Sequence, residues 1–352
     1  MNADVVSAVD ANAMRMVSDG IPYRDLDFLK RDIADIDQWC ARWVALSQVY
    51  EAEAGRAEAN GGTLTAGEQL WRAALCCHFG QGILMNVTPA EKAAADVRKQ
   101  QLFRRAATLL QPALERITIP FEGKSLPGYL RLAPGSKPGP CVVVFGGLDT
   151  TKEDALELTN YFVARGVSTL TFDGPGQGEM FATQKMRLDY EVAVSAVIDY
   201  ACTRPEIDRE RIGVIGRSTG GHWSVKTAAT DPRVKVAVAW GLIFHLRDFD
   251  NLSSSLHKRF MRAASIDSMD EARAFFHGYD LTGYAEKVRC PLLVVQGGKD
   301  PIAPPDSLAL LQRAMPQAPE IICYEQSGHC AHDLAHLFKP VMADFAARHL
   351  RV

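Results

Sequence analysis

One short stretch of the sequence has the residue types and spacing of a nucleophilic site: residues 216–220 spell G-R-S-T-G. The apolar run 212–215 leads directly into it, and a stretch compatible with a helix follows from Gly221. A serine at such a strand-to-helix turn is presented for attack, because small flanking residues let the strand and the helix pack closely. The helix N-terminus also favours a developing negative charge. We therefore predict that Ser218 is a nucleophile rather than an incidental residue in a glycine-rich turn.

A serine nucleophile needs a base to take its proton and an acid to orient that base. Asp300 lies just past the apolar run 292–296, and His329 follows the run 320–324. Since the carboxyl ends of parallel strands meet at one edge of a sheet, both side chains can converge there with Ser218. We predict that the three residues form a triad, in the chain order serine, acid, histidine.

Two further histidines, His332 and His336, compete with His329 for the role of base. They have an i, i+4 spacing that could also bind a metal on one face of a helix. No third ligand accompanies them, so we interpret them as residues of a surface helix. We expect no metal and no cofactor.

Acyl transfer at a serine also requires backbone N–H groups that stabilise an oxyanion. Thr219, directly after the nucleophile, is predicted to supply one of them. The second is expected from the loop after the run 141–145, which begins Gly146, Gly147, Leu148. We predict that Leu148 is the second donor, with Gly147 as the alternative.

The elements that must position these residues are predicted from the pattern of apolar residues after residue 115. Eight strands are predicted, over Arg116–Pro120, Gly128–Leu132, Cys141–Phe145, Ser168–Phe172, Ile212–Ile215, Lys235–Trp240, Leu292–Gln296 and Glu320–Tyr324. The last six are apolar on both faces, as in central parallel strands. Amphipathic helices alternate with them. A hairpin followed by such βα units predicts an α/β protein with a mostly parallel eight-stranded sheet and helices on both faces.

The sequence changes character near residue 115, which predicts two domains. Residues 1–115 have helical patterning and almost no strand signal, and we expect them to form a helical cap domain. Three helices are predicted there, over residues 25–53, 65–79 and 88–114. Residues 116–352 are predicted to form the catalytic domain. Within it, a helical insertion at about 241–290 follows the sixth strand, and we expect it to cover or line the site.

Composition and charge exclude several classes of partner. The chain has 352 residues, of which 47% are hydrophobic and 23% charged, and its net charge is -3. Without a basic stripe, we expect neither nucleic acid nor a membrane as a partner. No apolar run reaches the roughly 18 residues that span a bilayer, and the N-terminus lacks the features of a secretory signal, so we expect a cytoplasmic protein. The eight cysteines are predicted to be mostly buried free thiols.

Five motifs together resemble one branch of the α/β-hydrolases: Phe145–Glu153, Asp173–Gly178, Gly216–Gly220, Gly298–Asp300 and Gly328–His329. The branch contains 2,6-dihydroxypseudooxynicotine hydrolase, fungal pigment-pathway hydrolases and esterases of the fermentation-respiration-switch type. Its members typically carry a helical region before the hydrolase core. The resemblance implies an α/β-hydrolase fold for this chain.

The resemblance further implies a serine hydrolase that cleaves a carbon–carbon bond next to a ketone carbonyl. Its substrate would be a small aromatic or polyketide-like molecule, cleaved through an acyl-enzyme, and a homodimer is plausible in this branch. The alternative is a carboxylesterase or lactonase with the same triad. A peptidase related to the prolyl oligopeptidases is less favoured, because nothing near the N-terminus indicates a propeller. A non-catalytic binding module is also less favoured, because no triad member is missing.

The resemblance also implies an additional carboxylate after the strand that ends at Trp240. The chain has no Glu in residues 241–257. It offers Asp248 and Asp250, and also His245, at this place. We therefore predict Asp248 or Asp250 as the additional acid.

Overall fold

The computed structural model describes residues 2–82, 87–135 and 138–351. The chain divides into two compact units, residues 1–116 and residues 117–352. No helix within these ranges is long and apolar enough to cross a membrane.

The first unit is helical. It contains α1 (Ala3–Ser18), α2 (Tyr23–Asp32), α3 (Trp39–Ala59), α4 (Thr63–Gly82) and α5 (Pro89–Leu109). Trp39 and Trp43 of α3 are fully buried. The indole of Trp39 donates a hydrogen bond to the Phe79 carbonyl of α4 at 3.1 Å, and the Trp43 and Phe79 rings lie 6.0 Å apart. These aromatic side chains pack α3 against α4.

The predicted helix over residues 25–53 is wrong as a single element. Helix α2 ends at Asp32, and a short 3₁₀ turn at Ile36–Gln38 leads into α3. The Asp35 side chain accepts a hydrogen bond from the Asp37 N–H at 3.0 Å, so it competes locally with continued helical bonding. Helix α1 is not among the predicted helices.

The predicted start of the third helix is confirmed. The Thr88 hydroxyl accepts a hydrogen bond from the Glu91 N–H, and the Glu91 carboxylate accepts one from the Thr88 N–H, which together make a capping box. Helix α5 ends at Leu109, before the predicted end at residue 114. Pro112 follows shortly, and a proline cannot continue helical hydrogen bonding.

The second unit is built on an eight-stranded sheet, as predicted. Its strands are β1 (Leu114–Phe121), β2 (Lys124–Arg131), β3 (Gly139–Phe145), β4 (Ser168–Phe172), β5 (Ile207–Arg217), β6 (Val234–Trp240), β7 (Leu292–Gly297) and β8 (Glu320–Tyr324). The spatial order is β1-β2-β4-β3-β5-β6-β7-β8. Strand β2 pairs antiparallel with β4, and the six strands β3 to β8 are mutually parallel.

Helices cover both faces of the sheet, which confirms the predicted fold class. The helices of this unit are α6 (Leu156–Val163), α7 (Glu191–Thr203), α8 (Thr219–Thr230), α9 (Ser254–Ala264), α10 (Met269–His277), α11 (Ser307–Ala314) and α12 (Ala335–Leu350). Alternate side chains of the strands point to opposite faces. One face packs against α6 and α12, and the other against α7 and α8. The core on the second side continues into α9, α10 and α11.

The prediction that β8 is apolar and buried on both faces is wrong. Glu320 and Cys323 are exposed, and the other three residues are half-buried. The reason is topological: β8 is at the edge of the sheet and pairs only with β7. All eight cysteines are free thiols; six are buried, Cys202 is half-buried and Cys323 is exposed.

Candidate active site

Ser218 occupies a strained turn between β5 and α8. Its backbone has φ 62° and ψ −122°, a conformation that is costly for a residue with a side chain. The turn is held by hydrogen bonds from the Ser218 N–H to the Trp240 carbonyl and from the Gly221 N–H to the Ser218 carbonyl, both 2.7 Å long. A Cβ atom on Gly216 would lie 1.8 Å from the Gly220 carbonyl oxygen. Only glycine therefore fits at position 216, which explains the G-x-S-x-G spacing.

The structure brings the three predicted triad residues into one hydrogen-bonded chain. His329 Nε2 lies 2.8 Å from Ser218 Oγ, and His329 Nδ1 lies 2.6 Å from Asp300 Oδ2. Asp300 follows β7, and His329 follows β8, so both lie at the carboxyl edge of the sheet beside the serine. This is the geometry in which an imidazole can take a proton from a serine hydroxyl while a carboxylate orients the ring.

The carboxylate of Asp300 is buried and accepts several hydrogen bonds. Its Oδ1 accepts from the N–H groups of Ile302 and Ala303 at 2.8 and 3.0 Å. Its Oδ2 accepts from the Gln296 side-chain amide at 3.1 Å, in addition to His329. Burial opposes ionisation, but the charge of His329 and the donated hydrogen bonds outweigh it and hold the pKa of Asp300 below its usual value. Asp300 therefore stays an anion at neutral pH.

The imidazole of His329 responds to the same environment. Burial alone would lower its pKa, but the neighbouring Cys330 sulfur and the Asp300 carboxylate outweigh burial and raise the pKa of His329. A raised pKa makes the ring a stronger proton acceptor. It also means that the ring becomes protonated, and so inactive as a base, at a higher pH than an ordinary histidine.

The loop predicted to supply an oxyanion donor passes directly against the nucleophile. A Cβ atom on Gly147 would lie 2.8 Å from Ser218 Cβ and 3.1 Å from its Oγ. Thr219 is the first residue of α8, directly after the serine. Leu148 is partly buried against the main core. The structure thus places the loop and Thr219 beside Ser218. That their N–H groups form the oxyanion hole, and the choice between Leu148 and Gly147, stay predictions.

The predicted additional acids are placed on the surface of the insertion. Asp248 and Asp250 are both exposed, and Asp250 pairs with Arg273 of α10 at 2.8 Å. Across the part of the chain that the structure describes, no hydrogen bond joins either carboxylate to the triad. His245 is buried, with its Nε2 at 3.2 Å from a carboxylate oxygen of Asp306.

The other two histidines do not form a metal site within the described ranges. The ring of His332 lies edge-on to Trp240, with ring centroids 5.2 Å apart. His336, at the start of α12, is exposed.

The insertion between β6 and β7 reaches the site at two points. Arg259 of α9 pairs with Asp149 of residues 146–149, the oxyanion loop, with Nη1 and Oδ2 3.0 Å apart. The hydroxyl of Tyr279 donates to the carbonyl of Thr219 at 3.2 Å. These contacts join the insertion to the segments on either side of Ser218; that the insertion covers or lines the site stays a prediction.

Two glutamines with hydrogen bonds to the site have no assigned role in the sequence predictions. The Gln296 amide donates a hydrogen bond to Asp300, and its Oε1 accepts one from the Leu242 N–H at 2.7 Å. The side-chain amide of Gln177 donates hydrogen bonds to two carbonyls of the oxyanion loop. A signal existed for both, because Gln296 is the polar residue of an otherwise apolar strand and Gln177 lies in one of the five motifs.

A mostly parallel sheet with a serine elbow after β5, an acid after β7 and a histidine after β8 defines the α/β-hydrolase fold. The family model described as "FrsA-like: Esterase FrsA-like" matches residues 34–312, and the chain belongs to this family. The protein is accordingly an enzyme, a hydrolase that acts on either a carbon–carbon bond or an ester.

Several relatives are similar over most of the chain or part of it. The 2,6-dihydropseudooxynicotine hydrolase of Paenarthrobacter nicotinovorans is 34% identical over 333 residues, which cover 94% of this chain and 89% of that protein. The α/β-hydrolase gkaG of Penicillium citrinum is 34% identical over 221 residues, 58% of this chain and 51% of the fungal protein.

Solved structures show the same likeness. The crystal structure of 2,6-dihydroxy-pseudo-oxynicotine hydrolase superposes with a TM-score of 0.90 at 32% identity, covering 97% of this chain and 96% of that one. Wild-type AbyA5 superposes with a TM-score of 0.73 at 19% identity, which shows a shared fold alone.

Proposed function

We propose that this protein hydrolyses a carbon–carbon bond next to a ketone carbonyl in a small aromatic or polyketide-like substrate, through an acyl-enzyme on Ser218. The observation that carries the proposal is the 34% identity to 2,6-dihydropseudooxynicotine hydrolase over 94% of the chain. That likeness includes the helical N-terminal unit as well as the sheet. Such an extent favours a shared reaction over a shared scaffold.

In the first step, Ser218 Oγ attacks the ketone carbonyl while His329 Nε2 accepts the serine proton. The carbonyl oxygen becomes an oxyanion, stabilised by the N–H of Thr219 and by that of Leu148 or Gly147. Asp300, held as an anion, stabilises the imidazolium that forms on His329.

In the second step, the tetrahedral intermediate collapses and the carbon–carbon bond breaks. The electron pair of that bond leaves with the carbon fragment, where a carbonyl or an electron-rich ring delocalises it. The protonated His329 returns the proton to this fragment, leaving an acyl group on Ser218. His329 supplies that proton in this scheme because it already contacts the reacting serine at 2.8 Å, whereas Asp248 and Asp250 face the exterior.

In the third step, water attacks the acyl group and His329 accepts its proton. The carboxylic acid is released and Ser218 regains its hydrogen. The sum is one water consumed, one carbon–carbon bond broken, one acid formed and one hydrogen added to the leaving carbon. No cofactor enters this sequence.

Hydrolysis of a carboxylic ester or lactone is the second candidate. The match of residues 34–312 to an esterase-type family model favours it. The same residues would act, but an alkoxide would leave and His329 would protonate oxygen rather than carbon. Carbon is the slower atom to protonate, so the two activities differ in what they demand of the leaving group.

A two-class substrate panel tests the proposal. Aryl esters and short lactones form one class; β-diketones and acylphenols form the other. We expect turnover of the ketones by the wild type and none by Ser218→Ala, with the acid and the protonated fragment as products. Fast turnover of esters with none of the ketones would transfer the assignment to the esterase. Ketone cleavage that survives in Ser218→Ala would remove the serine mechanism altogether.

A further inference from the structure

The motif at residues 173–178 has no part in the proposed chemistry, yet its side chains contact the loop that does. Together with Glu179 this segment, the 173–179 turn, directly follows β4 and begins the connection to α7. Gln177 is buried there, and its Nε2 donates hydrogen bonds to the Gly146 carbonyl at 2.9 Å and to the Gly147 carbonyl at 2.7 Å. Both carbonyls belong to the oxyanion loop, residues 146–149.

The orientation of the Gln177 amide is fixed by its surroundings. Carbonyl oxygens can only accept hydrogen bonds, so the NH₂ end must face the loop. The Oε1 end accepts from the Gly174 N–H at 3.3 Å and from the Tyr190 hydroxyl. Burial, with the charge of Asp173, raises the pKa of Tyr190 well above its usual value, so this hydroxyl stays a donor. A flipped amide would lose all of these bonds.

Tyr190 links this arrangement to the nucleophile helix. Its ring stacks on Trp223 of α8, with ring centroids 3.8 Å apart and the planes 9° from parallel. Gln177 is therefore held between the oxyanion loop and a side chain that packs on the helix beginning at Thr219.

Asp173 holds the chain shortly after the oxyanion loop, at Lys152. Its Oδ1 accepts from the Lys152 backbone N–H at 2.8 Å, and its Oδ2 lies 2.6 Å from Lys152 Nζ. The Lys152 ammonium also lies 2.6 Å from carboxylate oxygens of Glu153 and Glu179. This one ammonium is shared by three carboxylates, and its contacts tie the segment around Lys152 to the 173–179 turn.

The geometry of a peptide unit connects these bonds to catalysis. In a planar trans peptide, the carbonyl of one residue and the N–H of the next point in opposite directions. Fixing the Gly147 carbonyl therefore fixes the Leu148 N–H, and fixing the Gly146 carbonyl fixes the Gly147 N–H. The Thr150 hydroxyl also donates to the Gly147 carbonyl, at 3.0 Å. Gln177 is the side chain that bonds both carbonyls, so it helps to set the direction of whichever of the two N–H groups faces the substrate oxyanion.

We infer that Gln177 is a positioning residue that aligns the oxyanion donors, and that the 173–179 turn is the support of the oxyanion loop. The inference rests on the proposed function, because it requires an oxyanion on an atom attacked by Ser218. Gln177 acts on the transition state rather than on substrate binding, since the oxyanion exists only after attack.

The test compares Gln177→Met with Gln184→Met. Methionine has a similar length and flexibility but no amide, so packing is largely retained. Gln184 is a matched control: it lies nearby in the chain, and its Oε1 has no hydrogen-bond partner among the residues that the structure describes. The main readout is the rate at which a fluorophosphonate labels Ser218, measured by intact mass. In that reaction the serine oxygen bonds to phosphorus, fluoride leaves, and the phosphoryl oxygen occupies the oxyanion hole.

We expect Gln177→Met to slow labelling by about 10- to 100-fold, less than or similar to the loss of an oxyanion donor. On a substrate that is turned over, kcat should fall with little change in KM. The pH of half-maximal labelling should not move, because the pKa of His329 is set by Asp300 and Cys330 rather than by Gln177. Gln184→Met should label like the wild type.

Three results separate the possible failures. A wild-type rate for Gln177→Met would overturn the inference, and so would a loss that appears in KM alone. An unlabelled Ser218 in the wild type would instead overturn the proposed function. If Gln177→Met does not fold, Tyr190→Phe replaces it, since this change removes one hydrogen bond to Gln177 and keeps the stacked ring; it should slow labelling in the same direction by less, and a wild-type rate would count against the inference.

Discussion

The two sides of Ser218 are stabilised in different ways. On the nucleophile side, the serine turn is held by backbone hydrogen bonds to the neighbouring strand, and His329 and Asp300 follow two adjacent strands. On the oxyanion side, the loop after β3 is held by side chains: Thr150 from the same segment, and Gln177 and Asp173 from a different part of the chain. The first side is built into the sheet, whereas the second depends on a few buried polar contacts.

This difference has a consequence for mutation. Changes on the nucleophile side should remove a step of the reaction while leaving the fold and the loop intact. Changes on the oxyanion side should leave every step possible but slower.

His329→Ala should have the largest effect. The residue is the base in the first step and again in the third, so kcat should fall by about 10⁴- to 10⁶-fold. Steady-state kinetics with the preferred substrate measure the loss. His336→Ala is the control, because it makes the same change at an exposed position of α12. Activity within tenfold of the wild type, about 1.4 kcal/mol, in His329→Ala would show that another base acts.

Asp300→Asn should cost about 10⁴-fold in kcat and also move the pH profile. The Asp300 charge raises the pKa of His329, and kcat/KM requires the neutral ring, so activity falls as pH drops through that pKa. Removing the charge lowers the pKa, and the acid limb should shift to lower pH. The measurement is a pH series of kcat/KM, with exposed Asp267→Asn as control. An acid limb that stays in place would contradict the role of Asp300.

Gly147→Ala tests the oxyanion side through space rather than through a hydrogen bond. The added Cβ would lie 2.8 Å from Ser218 Cβ, so the loop must withdraw. We expect kcat to fall by about 10²- to 10³-fold, as when an oxyanion donor is lost. Gly55→Ala is the control, because Gly55 is a solvent-exposed residue in the middle of α3 and an added Cβ would have no atom within 4 Å. This change should stabilise the protein by about 0.5–1 kcal/mol. Equal kcat for wild type and Gly147→Ala would place the oxyanion donors elsewhere.

Arg259→Met should have the smallest effect. It removes the ion pair between the insertion and Asp149, a partly exposed contact of a kind that contributes about 0–1 kcal/mol. We expect at most about a fivefold change in kcat/KM, decreasing further with salt because solvent ions screen such pairs. Arg259→Lys should restore part of it. A loss as large as that of Gly147→Ala would mean that the insertion, not the 173–179 turn, controls the loop.

The sequence predicts the nucleophile side well because its signals are local. A glycine-flanked serine after an apolar strand and two polar residues after later strands are visible without any contact information. The eight strands are predicted from apolar runs that alternate with amphipathic helices. The burial of β8 is misjudged only because its position at the edge of the sheet depends on how the other strands pair.

The oxyanion side is predicted less completely because its support is not local. Gln177 acts on carbonyls 30 and 31 residues earlier in the chain. Its motif is visible in the sequence, but the carbonyls that its side chain bonds come close to it only when the strands pair in the folded sheet. The same limit applies to Asp248 and Asp250, whose place after β6 did not indicate that they face solvent.

The central claim is that Ser218 becomes acylated during turnover. The most direct measurement is rapid acid quench of a single turnover, followed by mass spectrometry of the peptide that contains this residue. We predict a peptide heavier by the acyl group of the substrate, formed and then lost as the acid appears, and absent from Ser218→Ala. A Ser218 peptide that stays unmodified at every quench time while the substrate is fully consumed would contradict the account.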